Sequence, residues 1–132
     1  MSTAALRIVD VSLVLDGTAV LAGVDWTVAA DERWVVLGAN GAGKTSLLRI
    51  ASLYQHPTTG TVEVLGERLG RTDVRTLRER IAFSSPALAA ALAPTMTARE
   101  VVMTARHAAL APWWHRYTDA DRGRAGDLLE RF

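Results

Sequence analysis

The sequence predicts an α/β fold organised around a phosphate-binding loop, with an antiparallel β subdomain before the loop and helices after it. Three observations carry this expectation. Residues 38–46 read Gly38-Ala39-Asn40-Gly41-Ala42-Gly43-Lys44-Thr45-Ser46, the complete pattern G-x-x-x-x-G-K-S/T. An apolar run, Trp34-Val35-Val36-Leu37, precedes it and Leu47-Leu48-Arg49-Ile50-Ala51 follows, which supplies the strand, loop and helix that the pattern requires. The first thirty or so residues alternate with period two around Asp16-Gly17, a two-residue hairpin turn.

Taken in order, Arg7, Val9, Val11, Leu13 and Leu15 share one face of the first strand, with Asp10 and Ser12 opposite. After the turn, Val20, Ala22, Val24, Trp26 and Val28 alternate with Gly23, Asp25 and Thr27, and Trp26 reads as a core aromatic. Ala29-Ala30-Asp31-Glu32 is a polar turn into Trp34–Leu37, whose continuous apolar character suits a strand buried on both faces of a parallel sheet. The helix behind the loop should stop near residues 52–54, because Pro57 disfavours helix just before it. His56-Pro57-Thr58-Thr59-Gly60 is a turn into the strand Thr61–Leu65, and His56 is a solvated loop residue. Arg71–Arg80 reads as a short helix with Asp73 near its start, and Ile81-Ala82-Phe83-Ser84 as a second buried strand.

From Pro86 the chain becomes alanine-rich and helical. Thr97-Ala98-Arg99-Glu100 is a capping box for a helix to about Ala109, and Thr118 with Asp121 caps another through Leu128 and Leu129. Between them, Pro112-Trp113-Trp114-His115-Arg116-Tyr117 is expected to pack between the two helices, with contact to a partner or a membrane surface as the alternative. His107 and His115 lack the one-turn spacing of paired helical ligands, so no metal site is assigned to them.

Composition bounds the rest. With 132 residues, 49% of them hydrophobic, the chain suits one soluble domain and no more. A formal charge of +1, with arginines scattered among acids, gives no case for nucleic-acid binding. There is no cysteine, hence no disulfide or thiolate site, and no apolar stretch of membrane-spanning length. The N-terminus has no leader pattern, so a cytoplasmic location is the expectation.

The chemistry of the loop follows from its spacing. Gly38, Gly41 and Gly43 let the backbone turn so that successive N–H groups, including those of Ala39, Asn40 and Ala42, surround an anion at the positive end of a helix. Lys44 is placed to reach β and γ phosphates, the Thr45 hydroxyl to hold Mg²⁺, and Ser46 to add a donor. Lys44 is the only lysine; every other basic side chain with a permanent charge is arginine. A compact point charge at this one position fits a phosphate-binding role. No N-K-x-D base-recognition pattern occurs and a hairpin precedes the loop, which ranks a GTPase or kinase low.

The hairpin, the Gly38–Ser46 loop, the His56–Gly60 turn and Pro94-Thr95-Met96-Thr97-Ala98-Arg99-Glu100-Val101, in that order, resemble the ATP-binding subunit of ABC transporters. The resemblance spans the whole chain but only the N-terminal part of the family's domain. It implies a single partial domain over 1–132: an antiparallel ribbon over 1–32, a partial P-loop α/β core over 33–85, and the start of a helical subdomain over 86–132. It also implies ATP and Mg²⁺ as cofactors, a transmembrane transporter subunit and a second ATP-binding subunit as partners, and a cytoplasmic position at the inner face of the membrane through that partner.

The sequence departs from the family pattern in places. Leu15 stands where the family has an adenine-stacking aromatic, and Ser84-Ser85-Pro86 where it has a glutamine near the γ-phosphate. The signature loop, the acidic strand, the water-activating glutamate and the switch histidine fall outside these residues. The resemblance therefore implies nucleotide binding without appreciable hydrolysis by this chain alone. It further implies unpaired apolar edges at Val35-Val36-Leu37 and Ile81-Ala82-Phe83, whose sheet neighbours come from the family's C-terminal part, and marginal stability in isolation. The alternative is a truncated, non-hydrolysing nucleotide- or partner-binding protein, or one without function.

Overall fold

The computed structural model describes residues 4–132, which form two compact units, residues 4–74 and 75–132. In the first unit, β1 (Ala4–Leu15) and β2 (Thr18–Ala29) form the hairpin about Asp16-Gly17, and α1 (Lys44–Ala51) follows the glycine-rich loop. Next come β3 (Thr59–Val64) and the two-residue β4 (Glu67–Arg68). The strands make one antiparallel sheet in the order β2-β1-β3-β4. Its inward face carries Leu6, Ile8, Val11, Leu13, Leu21, Val62 and Val64, and Ile50 of α1 and Leu53 after it are buried as well. Full burial of an aliphatic side chain such as Ile8 or Ile50 contributes about 2 kcal/mol, an upper value because unfolded chains are partly collapsed.

The buried face of β1 differs from the alternation read from sequence. Leu6 and Ile8 point inward, then Val11 and Leu13, while Val9 and Leu15 are exposed. The cause is a bulge. Between Ile8 and Val11, β1 advances three residues while β2 advances two, from Trp26 to Val24, and Asp10 takes a left-handed φ of 49°. A compensating irregularity in β2 lies at Gly23, φ 56°, and moves Leu21 rather than Ala22 into the core. Side chains fix the bulge: Asp25 Oδ1 accepts from the Asp10 amide and Ser12 Oγ from the Gly23 amide, each at 2.9 Å. A bulge flips the phase of everything beyond it, which a strict period-two reading cannot register.

Two segments expected as strands are not strands. Trp34–Leu37 and Ile81–Ser84 lie in extended or irregular backbone outside the sheet. Trp34, Val35 and Leu37 are 56%, 79% and 86% exposed, so the expected apolar edge appears as bare side chains. A strand exists only through ladder hydrogen bonds to a neighbour, and the described sheet, β2-β1-β3-β4, includes neither segment.

The second unit contains most of α2 (Val74–Arg78), then α3 (Pro86–Ala90), α4 (Ala98–Thr104) and α5 (Asp119–Leu129). Helix α2 is shorter than the 71–80 expectation, and α4 ends early, continuing as a 3-10 turn over Ala105–His107. Pro86 sits in the first turn of α3, where its missing N–H costs nothing, and Ser85 caps that helix through the Leu88 amide at 3.1 Å. Helices α4 and α5 pack together, burying Met103, Thr104 and Ala125. Both expected capping boxes are present, at Thr97 with Glu100 and at Thr118 with Asp121.

The aromatic stretch between α4 and α5 does not pack as expected. Trp113 and Trp114 form a second 3-10 turn, Pro112–Trp114, and are 65% and 79% exposed. What does pack is a ring cluster: His107 and His115 lie face to face at 4.3 Å, with Tyr117 beside them, and His107 Nδ1 is 2.9 Å from Glu79 Oε1. The Tyr117 hydroxyl is buried without a hydrogen-bond partner, and burial, then the nearby Asp121 charge, pushes it above its ordinary range.

The capping boxes make the second unit acid-sensitive. The Thr97 amide, then its hydroxyl, hold the Glu100 carboxyl below its ordinary value; the Thr118 amide and hydroxyl, with Arg106 at 2.6 Å, do the same for Asp121. Carboxyls lowered on folding stabilise fully above their unfolded range near about pH 4, and that contribution is lost as pH falls through the lower folded values. The far-UV helical signal is therefore expected to fall below about pH 4, with Glu100→Gln and Asp121→Asn already lower at neutral pH and flatter in acid. An unchanged acid profile in the double variant would contradict this.

Candidate functional site

The phosphate loop is built by β2 and α1 together. Chain leaving β2 is tied by Glu32, whose Oε2 accepts from the Ala29 amide at 2.9 Å and from Trp34 Nε1 at 3.0 Å. These two bonds, backbone first, hold the Glu32 carboxyl below its ordinary value. Trp34 in turn meets Trp26 edge to face, centroids 6.0 Å apart. Trp26, expected as a core aromatic, is half-buried and serves as this anchor. Sequence reading saw only a polar turn at 29–32; a Glu two residues before a Trp was the available signal.

Beyond Leu37 the loop folds back on itself, with the Ala42 amide donating to Ala39 O at 3.2 Å and the Leu47 amide to Gly43 O at 2.9 Å. Gly41 and Gly43 have φ of 80° and 89°. Gly43 is the N-cap of α1, and a Cβ there would lie 2.8 Å from both Leu21 Cδ2 and Val20 O. Only glycine meets both demands, so β2 fixes the point where the helix begins. Sequence reading missed this buttress, because nothing local links residues 20–21 to 43.

The nine expected residues, Gly38 to Ser46, are thus brought into one loop and first turn. Lys44 Nζ folds across it and donates to Gly38 O at 2.7 Å and Ala39 O at 2.6 Å, its stem lying over Gly38. Lys44 and Ser46 are half-buried; Asn40 and Thr45 are exposed. The first turn of α1 has neither a side-chain cap nor an acidic residue, so its amides keep no intrahelical partner and the positive end of the dipole is uncompensated. Donors, a cation and no competing carboxylate suit a triphosphate, and Thr45 is the one hydroxyl in that turn left open to solvent, which suits a Mg²⁺ ligand. Leu15, in the adenine-stacking position by resemblance, is exposed at the end of β1. No group of three or more metal-binding side chains occurs among the described residues.

An antiparallel sheet that leads into a glycine-rich loop, with a lysine laid across an uncapped helix N-terminus, defines a nucleotide-phosphate-binding protein. Residues 21–131 match the family model for ABC transporters, and the chain belongs to that family. It is 38% identical over 126 residues to an uncharacterized ABC transporter ATP-binding protein, YlmA, of Bacillus subtilis, covering 95% of this chain and 47% of that one. A phosphonates import ATP-binding protein, PhnC 1, of Pseudomonas savastanoi is 37% identical over 102 residues, covering 75% and 36%. The chain spans about half the length of curated relatives that it matches. Among solved structures it resembles the ATP-binding cassette MJ0796, a dimer bound to ADP and Pi, with a TM-score of 0.77 at 20% identity over 95% of this chain and 56% of that one. The fold is that of part of an ABC cassette. No helix among the described residues is long and apolar enough to cross a membrane.

Proposed function

We propose that the Gly38–Ser46 loop holds the triphosphate of ATP with Mg²⁺, and that in its full-length form the subunit couples ATP binding and hydrolysis to movement of a solute across a membrane. The observation that carries the reading is Lys44, resting on the Gly38 and Ala39 carbonyls over an uncapped helix N-terminus. On binding, its ammonium exchanges those carbonyls for β- and γ-phosphate oxygens. The first-turn amides and Ser46 donate beside it, and the Thr45 hydroxyl holds Mg²⁺, which when bound offsets phosphate charge. The partners in this reading are a transmembrane subunit and a second ATP-binding subunit, at the cytoplasmic face of the membrane; the dimeric cassette of similar fold and the import proteins of similar sequence support it. The division at 32 and 85 into ribbon, partial core and helical start belongs to the same proposal.

The loop's functional side chains are Asn40, Lys44, Thr45 and Ser46, with neither a carboxylate nor an imidazole among them to serve as general base. Binding without appreciable hydrolysis is therefore expected of these 132 residues. Calorimetric titration with ATP, ADP and AMP tests it. Affinity should fall along that series by roughly tenfold or more in total, since the phosphates supply the charge-assisted bonds. Equal affinity for ATP and AMP would remove the loop from the account. Phosphate release above background that disappears in Lys44→Ala would overturn the claim about hydrolysis.

A further inference from the structure

We propose that Leu21 of β2 is a positioning residue for the phosphate cradle: with the Val20 carbonyl it holds Gly43 in place and so aims the first-turn amides of α1 at the triphosphate. This deepens the nucleotide-binding reading and rests on it. Ser85, Thr97 and Thr118 fix the N-termini of α3, α4 and α5 through side-chain oxygens. Gly43, the N-cap of α1, has no side chain, and a capping oxygen there would occupy an amide that a phosphate has to meet. The first turn of α1 must therefore be held by packing. At the far end of the helix, Ile50 is fully buried. At the near end, Leu21 Cδ2 and Val20 O each lie 2.8 Å from where a Cβ on Gly43 would stand. Gly43 and Ile50 are seven residues apart. That is about 10 Å of helix, so a tilt of about 6° about Ile50 shifts the first turn by about 1 Å. A shift of that size takes a charge-assisted hydrogen bond out of its range of about 2.7–2.9 Å.

Leu21 stands beside Gly43 because the hairpin register is irregular on both sides of it. From the Val11–Val24 pair to the Leu13–Leu21 pair, β1 advances two residues and β2 three; from there to Val14–Ala19, β1 advances one and β2 two. Leu21 is thus the paired residue between two irregularities, and Val20 is the extra residue of the second. Gly23, φ 56°, absorbs the first, its amide donating to Ser12 Oγ at 2.9 Å. Strict alternation from Val24 would turn Ala22 inward, and a single methyl group has less reach than a leucine. The register of the hairpin is in this way coupled to the aim of the loop.

Leu21→Val tests this, because it deletes Cδ2 and keeps an apolar residue in the core. Calorimetric titration with inorganic tripolyphosphate and with ATP should show both affinities reduced about tenfold, the worth of one charge-assisted bond, and by the same factor, since the cradle meets only phosphates. Leu21→Met, whose side chain recovers the reach, should bind both within about twofold of the native chain. Ile8→Val is the control: it shortens a buried side chain of the same sheet, paired with Trp26, five residues along β2 from Leu21. It should lower the urea midpoint and leave both affinities within about twofold. If Leu21→Val does not fold by circular dichroism, Leu21→Ile, of equal volume with its branch moved to Cβ, supplies the same readout in the same direction. Unchanged tripolyphosphate affinity in the folded variant overturns the proposal. So does a loss confined to ATP, which would put Leu21 at the base, or an equal loss in Ile8→Val, which would make the effect one of core stability. A native chain that binds neither tripolyphosphate nor ATP removes the nucleotide-binding reading itself, and this inference with it.

Discussion

Lys44→Ala is expected to weaken ATP binding roughly a hundredfold, because it removes charge-assisted hydrogen bonds each worth about 1.5–3 kcal/mol. The stability of the chain should change far less. The bonds Lys44 makes to Gly38 O and Ala39 O lie at the surface, where water replaces them, so about 0.5–1 kcal/mol is at stake. Calorimetric titration alongside urea unfolding separates the two effects. Lys44→Arg should not restore affinity, since the planar guanidinium is bulkier than an ammonium and the stem must pass close over Gly38, 3.7 Å from a Cβ built there. Unchanged affinity in the alanine variant would mean that nucleotide is held elsewhere. A collapse of stability matching the loss of affinity would mean that the lysine is structural.

That loop was legible because its determinants are contiguous. Nine consecutive residues specify turn, cation and helix start, and the structure places them in one loop and first helical turn. The hairpin turn at Asp16-Gly17 and the caps at Thr97 and Thr118 were legible for the same reason, each being set within about four residues. What escaped was relational. Val35 and Leu37 have the composition of a buried strand, yet composition cannot supply the neighbour that makes one, and both are exposed. The inward face of β1 depends on a bulge at Asp10 that is stabilised by Asp25 and Ser12. Gly23 inside a strand pattern was the one local hint of it. Trp113 and Trp114 were read as packed because tryptophans usually are, and only tertiary structure shows α4 and α5 packing on Met103, Thr104 and Ala125 with both indoles exposed.

The bulge also sets the second large effect. Gly60→Ala is expected to destabilise the chain by about 3 kcal/mol, the sum of overpacking and a forced left-handed backbone. Gly60 has φ 96°, and a Cβ there would lie 2.6 Å from Val11 Cα and 2.7 Å from Asp10 C, and against Asp10 O. All three are backbone atoms, so no rotamer change relieves the contact. The backbone has no slack to retreat. The Asp10 amide is held by Asp25, the Thr58 amide donates to Ser12 O at 2.8 Å, and Thr58 Oγ1 accepts from the Val14 amide at 2.9 Å. Relief must come by parting β3 from β1 at the bulge, which withdraws Val62 from Ile8 and Val11 in the core. Gly66→Ala is the control: φ is 82°, but nothing lies within 4 Å of its Cβ, so backbone strain alone applies, about 1 kcal/mol. Urea unfolding of the two variants decides the matter. A midpoint shift in Gly60→Ala no larger than in Gly66→Ala would show that β3 is not clamped against the Asp10 bulge.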